Sequence, residues 1–206
     1  IPLGYDNEVI RPYSYSVDLD DNDIHVEYAL SHQAAVYEID FDNTSTPAYL
    51  IFNTRNGKLN VDKNTVSGYQ SLDNNTNVYI YFETDIMPSA AGTHKGENID
   101  ASTTSTQGHN AYFIIEYPNK TNKIKARYGI SFISVEQAKK NLRREIKDYN
   151  LASVAEKGRQ IWNETLNKIQ VEGIDESAKV VFYSSLYRTY ERMICISEDG
   201  KYFSAY

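Results

Sequence analysis

Apolar and polar positions alternate through the first two thirds of the chain and then change period. Tyr13, Tyr15, Val17 and Leu19 alternate with polar neighbours, as do Ile24, Val26, Tyr28 and Leu30, and the polar run Asp20–Asp23 separates them. A period of two with one wetter face predicts a hairpin of half-buried strands. Further strands are expected at 35–41, 49–53, 59–61, 66–71, 78–83, 112–117 and 124–132. Turn signals at Asn56-Gly57, Asn74-Asn75 and Pro118-Asn119 punctuate them. Short strands with no helical pattern between them predict an antiparallel β-sandwich.

Beyond Ser134 the period becomes helical. Ser134 with Gln137 reads as a capping box opening a stripe of Val135, Ala138, Leu142, Ile146 and Tyr149. Ser153 with Glu156 repeats the pattern ahead of Ile161, Trp162, Leu166 and Ile169. A third helix is expected from about Asp175, carrying Ala178, Val181, Phe182 and Leu186, followed by a turn at Glu198-Asp199-Gly200. The fold class expected is β-rich α+β. A sandwich spans residues 1–134, a helical linker 135–173, and the beginning of a larger helical domain 174–206. The apolar stripes of the last segment should then face partners, self-associate or stand exposed.

Charge follows the same division. Residues 1–134 hold 9 Lys/Arg against 17 Asp/Glu, and residues 135–206 hold 12 against 11. The overall charge of −7 offers no footprint for nucleic acid. No apolar run approaches the length of a membrane span. A single cysteine, Cys195, excludes an internal disulfide framework and argues against a cysteine-rich zinc site. The eighteen tyrosines suit strands, where the ring packs and the hydroxyl stays wet.

Candidate chemistry is sparse. Asp18, Asp20, Asp21, Asn22 and Asp23 imitate a calcium loop, but Asp23 stands where that loop needs glycine and Ala29 where it needs a bidentate Glu, so a solvated hairpin turn is expected. Residues 87–110, with His94 and His109, read as a long mobile loop. Cys195 reads as a buried thiol and Trp162 as core rather than a sugar-stacking platform. Sequons stand at Asn43, Asn74, Asn119 and Asn163. No P-loop, dinucleotide fingerprint, HExxH or GxSxG is present. The residues alone assign no catalytic, substrate-binding or metal-ligating side chain.

Particular stretches carry a resemblance. Residues 7–17 (NEVIRPYSYSV), 129–142 (GISFISVEQAKKNL), 162–166 (WNETL), 169–173 (IQVEG) and 182–189 (FYSSLYRT) running into 196–206 (ISEDGKYFSAY) resemble glycoside hydrolase family 92, the exo-acting α-mannosidases. The resemblance implies an internal fragment: the sandwich without its first strands, two linker helices, and the first helix of an α/α toroid. It implies removal of terminal α-linked mannose, α-1,2 in the first instance, from α-mannosides or N-glycans, by inverting hydrolysis assisted by calcium. The acid, the base and the calcium ligands would lie beyond these residues, leaving the fragment itself inactive and without calcium. Glu191, Glu198 and Asp199 would serve pairing and capping. A periplasmic or extracellular bacterial setting is implied as well. Rival readings are a carbohydrate-binding or adhesive sandwich with no enzyme attached, and another sandwich-plus-toroid glycosidase or phosphorylase.

Overall fold

A computed structural model describes residues 4–19, 23–42, 45–72, 76–95, 98–190 and 197–202. Eleven strands come first: β1 (Asp6–Arg11), β2 (Ser14–Leu19), β3 (Ile24–Leu30), β4 (Ala34–Phe41), β5 (Tyr49–Asp62), β6 (Thr65–Ser71), β7 (Asn77–Thr84), β8 (Ala90–Lys95), β9 (Asn98–Asp100), β10 (Ser105–Glu116) and β11 (Lys123–Ser131). Helices α1 (Val135–Glu145), α2 (Leu151–Leu166) and α3 (Glu176–Arg188) follow, then a hairpin of β12 (Ser197–Glu198) and β13 (Lys201–Tyr202).

The strands form one antiparallel ladder in the order β1-β2-β3-β4-β11-β7-β6-β5-β10-β8-β9, folded over on itself. The fold line crosses β5 and β10. Strand β5 pairs with β10 from Tyr49 to Asn60, but with β6 only from Gly57 onward. Between Thr54 and Gly57 the buried positions of β5 shift by one residue. Asn56 adopts a left-handed conformation there (φ 51°), and Gly108 lies opposite Gly57. Asn tolerates that conformation better than most side chains. Asn56-Gly57 therefore bends a continuous strand instead of ending one, and the two strands expected at 49–53 and 59–61 are a single element.

Folding the ladder closes a core from both halves: Phe41, Ile124 and Phe82 face Leu59, Phe113 and Ile115. On the same inner side a row of tyrosines crosses from the edge inward, Tyr15 to Tyr28 to Tyr37 to Tyr128, with ring centroids 5.2, 5.1 and 5.8 Å apart. Burial, then the neighbouring tyrosines, raises the Tyr37 hydroxyl well above its ordinary value. The opposite face of β3 and β4 supplies Ala29, Ala34 and Val36 to a second core with Leu142, Ile146, Leu151 and Val154 of the helical segment. The molecule is thus three layers deep: sheet, sheet, helices.

Helix α1 begins as expected, the Ser134 side chain accepting from the Gln137 amide. It can lie flat on β11 because Gly129 has no side chain; a Cβ there would stand 2.2 Å from the Ala138 carbonyl oxygen. Helix α2 starts earlier than the Ser153–Glu156 pattern implied. Asn150 is its cap and accepts from Ser153 N–H, while Glu156 pairs with Arg159. Asn caps as well as Ser does, and the earlier start brings Leu151 and Val154 into the second core. Asp175 caps α3 as expected.

The segment 87–110 is not a mobile loop in its described part. It forms β8, β9 and the first half of β10, with β8 on β10 through Ala90–Gly92 and β9 on β8 through Asn98–Asp100. Backbone ladders hold these strands, so their Ser, Thr and Gly content hid them from a reading of side-chain alternation.

Candidate functional site

Where the linker helix meets the sandwich, a cavity of about 420 Å³ opens between the β1–β2 turn, the β3–β4 turn and α2. Tyr13, Leu30 and His32 line the sheet side, with Lys157, Ile161 and Trp162 on the helix and Glu145 at the end of α1. Gly158 lets α2 approach: a Cβ there would lie 2.6 Å from Tyr13 Cβ. Trp162 is half-buried and meets Tyr187 and Tyr190 edge-on, at centroid distances of 4.9 and 5.9 Å. It therefore packs helix to helix without joining either buried core, and its other side borders the cavity. Glu145 is not free for proton transfer. One oxygen accepts from Gln33 N–H at 2.7 Å and the other from Arg144 at 3.1 Å.

Electrostatically the strongest feature is Glu83, a carboxylate at the end of β7 buried between two arginines. Arg127 Nε donates to it at 2.7 Å and Arg143 Nη1 at 2.7 Å. Arg127 also donates to the Ile146 carbonyl at 2.8 Å and lies over the Tyr149 ring. Burial pushes the Glu83 carboxyl up, but the hydrogen bonds and charges of Arg143 and Arg127 outweigh it, leaving the group below its ordinary value. Glu38 follows the same pattern, burial opposed and overcome by Lys125 and Lys123. These are structural pairs that fasten α1 and β11 to the sheet. Sequence reasoning missed Glu83; its signal was an acid closing the apolar run Val78–Phe82.

The acidic run behaves as a hairpin: β2 and β3 pair up to Leu19↔Ile24, and Asp20–Asn22 lie outside the described residues. Asp18 has one oxygen on His25 and the other on Asn7 Nδ2. The hydrogen bond from His25, then that from Asn7, lowers its carboxyl. Both Asp18 oxygens are thus engaged within the β1–β2–β3 edge. Among the described residues no three His, Cys, Asp or Glu side chains gather as a metal centre would need. His109 Nδ1 lies 2.6 Å from Asn56 Oδ1 at the fold line, on an exposed surface. Sequon residues Asn119 and Asn163 are exposed. Asn43, Asn74, Glu191 and Cys195 lie outside the described residues, as does the Asn74-Asn75 turn signal.

Glu198, expected to serve structural pairing or capping, is wholly buried. Its carboxylate accepts from Phe132 N–H at 2.9 Å and from Asn141 Nδ2 at 2.8 Å. Asp199 beside it accepts from Gln137 Nε2 at 2.8 Å and pairs with Arg144. These bonds bring the C-terminal hairpin onto α1 and the exit of β11.

Comparison with known proteins places this arrangement. The glycosyl hydrolase family 92 N-terminal domain matches residues 2–131, and the family 92 catalytic domain matches residues 137–206. A protein of Arthroderma benhamiae described as an uncharacterized secreted glycosidase is 23% identical over 89% of this chain and 28% of its own length. The family GH92 inverting mannosidase structure from Bacteroides thetaiotaomicron superposes with a TM-score of 0.82 at 25% identity, covering 91% of this chain and 27% of that one. A GH92 α-mannosidase structure from the same bacterium superposes with a TM-score of 0.83 at 17% identity, over 96% of this chain and 29% of that one; another structure of that enzyme holds mannoimidazole. The chain thus spans under a third of the length of the relatives it matches. With both domain matches in chain order across a sandwich, linker helices and the opening of a helical domain, it belongs to glycosyl hydrolase family 92.

Proposed function

We propose that these residues are part of an exo-acting α-mannosidase that removes terminal α-linked mannose, α-1,2-linked in the first instance and including that of N-glycans, by hydrolysis with inversion. The observation that carries the reading is the double domain match, catalytic segment included, together with 25% identity to a solved inverting mannosidase over nearly the whole chain. Inversion requires an acid on the leaving oxygen and a base activating water across the ring, with carboxyls roughly 6.5–9.5 Å apart. Glu38, Glu83, Glu145 and Glu198 are each committed to ion pairs or buried hydrogen bonds. Their part is to build the wall on which a helical domain stands. The acid and base are proposed to belong to that domain, as are the oxygen ligands of a calcium ion, which the described donors do not fit. The 206 residues alone are then inactive. A secreted relative supports an extracellular or periplasmic setting, and no described helix is long and apolar enough to cross a membrane.

The test is proton NMR of the protein from the complete reading frame acting on α-1,2-mannobiose. Mannose appearing first as the β-anomer supports the proposal. The α-anomer first, or turnover by residues 1–206 alone, contradicts it.

A further inference from the structure

The hairpin β12–β13 is built to be inserted. Asp199 and Gly200 both carry positive φ (51° and 75°), the pairing of a tight two-residue turn that Asp-Gly favours. Ser197 pairs with Tyr202 and Glu198 with Lys201, so the strands are two residues each and have no core of their own. Tyr202 is largely exposed, whereas Glu198 is not exposed at all. The hairpin's attachment therefore runs through its acidic side chains.

The groups that receive those side chains are themselves interlinked. Asn141, itself fully buried, donates from the same Nδ2 to the Ile130 carbonyl at 2.9 Å and to Glu198 at 2.8 Å. Gln137 Nε2 donates both to Asn141 Oδ1 at 3.1 Å and to Asp199 at 2.8 Å. Arg144 reaches Asp199, and also Gln33 in the β3–β4 turn at 3.0 Å. Phe132 N–H, the first amide after β11, gives its hydrogen to Glu198. Among the described residues no cation pairs with Glu198. A buried carboxylate without one is tolerated only where its hydrogen bonds are made, and removing them exposes the full desolvation cost.

We propose that Glu198 is a clasp between domains. Its buried carboxylate, received by Phe132 and Asn141, locks the catalytic-domain hairpin into the exit of the sandwich and so sets where the helical domain stands. Glu198 and Asn141 both lie inside the catalytic match of residues 137–206, Phe132 stands between the two matches, and the link into the sandwich match, which ends at residue 131, runs on through Asn141 to the Ile130 carbonyl and through Arg144 to Gln33. The inference goes beyond the glycosidase reading, and its test uses no activity.

Amide hydrogen exchange on the chain with Glu198→Gln is that test. The carboxamide keeps the shape but turns an N–H₂ toward one of the two donors. Exchange should rise about tenfold or more at Phe132 and through residues 198–202. Core amides such as Phe113 and Ile124 should stay within about twofold of wild type, the mark of local opening. Asp199→Asn, a milder change at the exposed end, should release the hairpin in the same pattern by a smaller factor and serves if Glu198→Gln fails to fold. An unchanged Phe132 amide in the variant that folds would overturn the proposal. So would a uniform rise across the sandwich, which would make Glu198 an ordinary core residue.

Discussion

Strand β10 and helix α3 are both rich in apolar side chains, and they treat them oppositely. In β10, Phe113, Ile114 and Ile115 are all buried. In α3, no residue is buried, and Val180 and Val181 are about 65% exposed. The strand sits between two halves of a folded sheet whose facing residues lie within the same 206 positions. The helix is defined by local devices: the Asp175 cap, a Lys179–Glu176 pair, and Tyr183 donating to the Ile169 carbonyl. Such local terms are small and set where a helix begins and ends. A helix of this length is marginal in water without an apolar face buried elsewhere. The described strands close a core among themselves, while α3 keeps its apolar side chains at the surface.

Three substitutions probe that contrast. The largest effect belongs to Glu83→Gln, which leaves Arg127 buried without its counter-charge. Breaking a buried pair from one side costs about 3 kcal/mol or more, so the sandwich melting transition should fall steeply. The same pair predicts acid sensitivity. The folded carboxyl is lowered, so below its unfolded value the unfolded chain binds the additional proton. Its contribution is complete above the unfolded value, near pH 4.5, and is lost as pH falls through the folded value. Urea titrations across pH 3–6 should show wild type losing stability with acid more steeply than Glu83→Gln.

A smaller effect is expected of Trp162→Ala, which removes the edge-on contacts to Tyr187 and Tyr190. Far-ultraviolet circular dichroism should lose the α3 share of helicity while the sandwich transition moves little. A drop of the sandwich transition comparable to that of Glu83→Gln would erase the distinction between the regions. The smallest effect belongs to Val181→Lys on the open face of α3, within about 0.5 kcal/mol of wild type. It should also reduce binding of a hydrophobic dye, because that face is uncovered.

What could be read from the residues divides along the same line. The β2–β3 hairpin and the capped starts of α1 and α3 were legible because side-chain alternation and caps are local signals. Strands β8 and β9 were not, since ladders of backbone bonds hold them and their side chains carry no strand pattern. Asn56-Gly57 misled for a related reason: the dipeptide permits a left-handed residue, and the fold spends that freedom on bending β5. Glu198 was placed near a turn correctly, but its burial depends on Asn141 and Phe132, 57 and 66 positions away. No local signal carries that information.

The central claim, that the described strands close a core among themselves while the described residues of α3 leave its apolar side chains exposed, is tested most directly by brief native trypsin digestion with mass spectrometry. Lys168, Lys179 and Arg188 lie in or beside α3, and Lys125, Arg127 and Arg143 on the sandwich and α1. The account predicts early cleavage at the first three, with the stretch containing the latter three remaining intact. Cleavage at Lys125, Arg127 or Arg143 as fast as at Lys179, or an α3 as resistant as the sandwich, would contradict it.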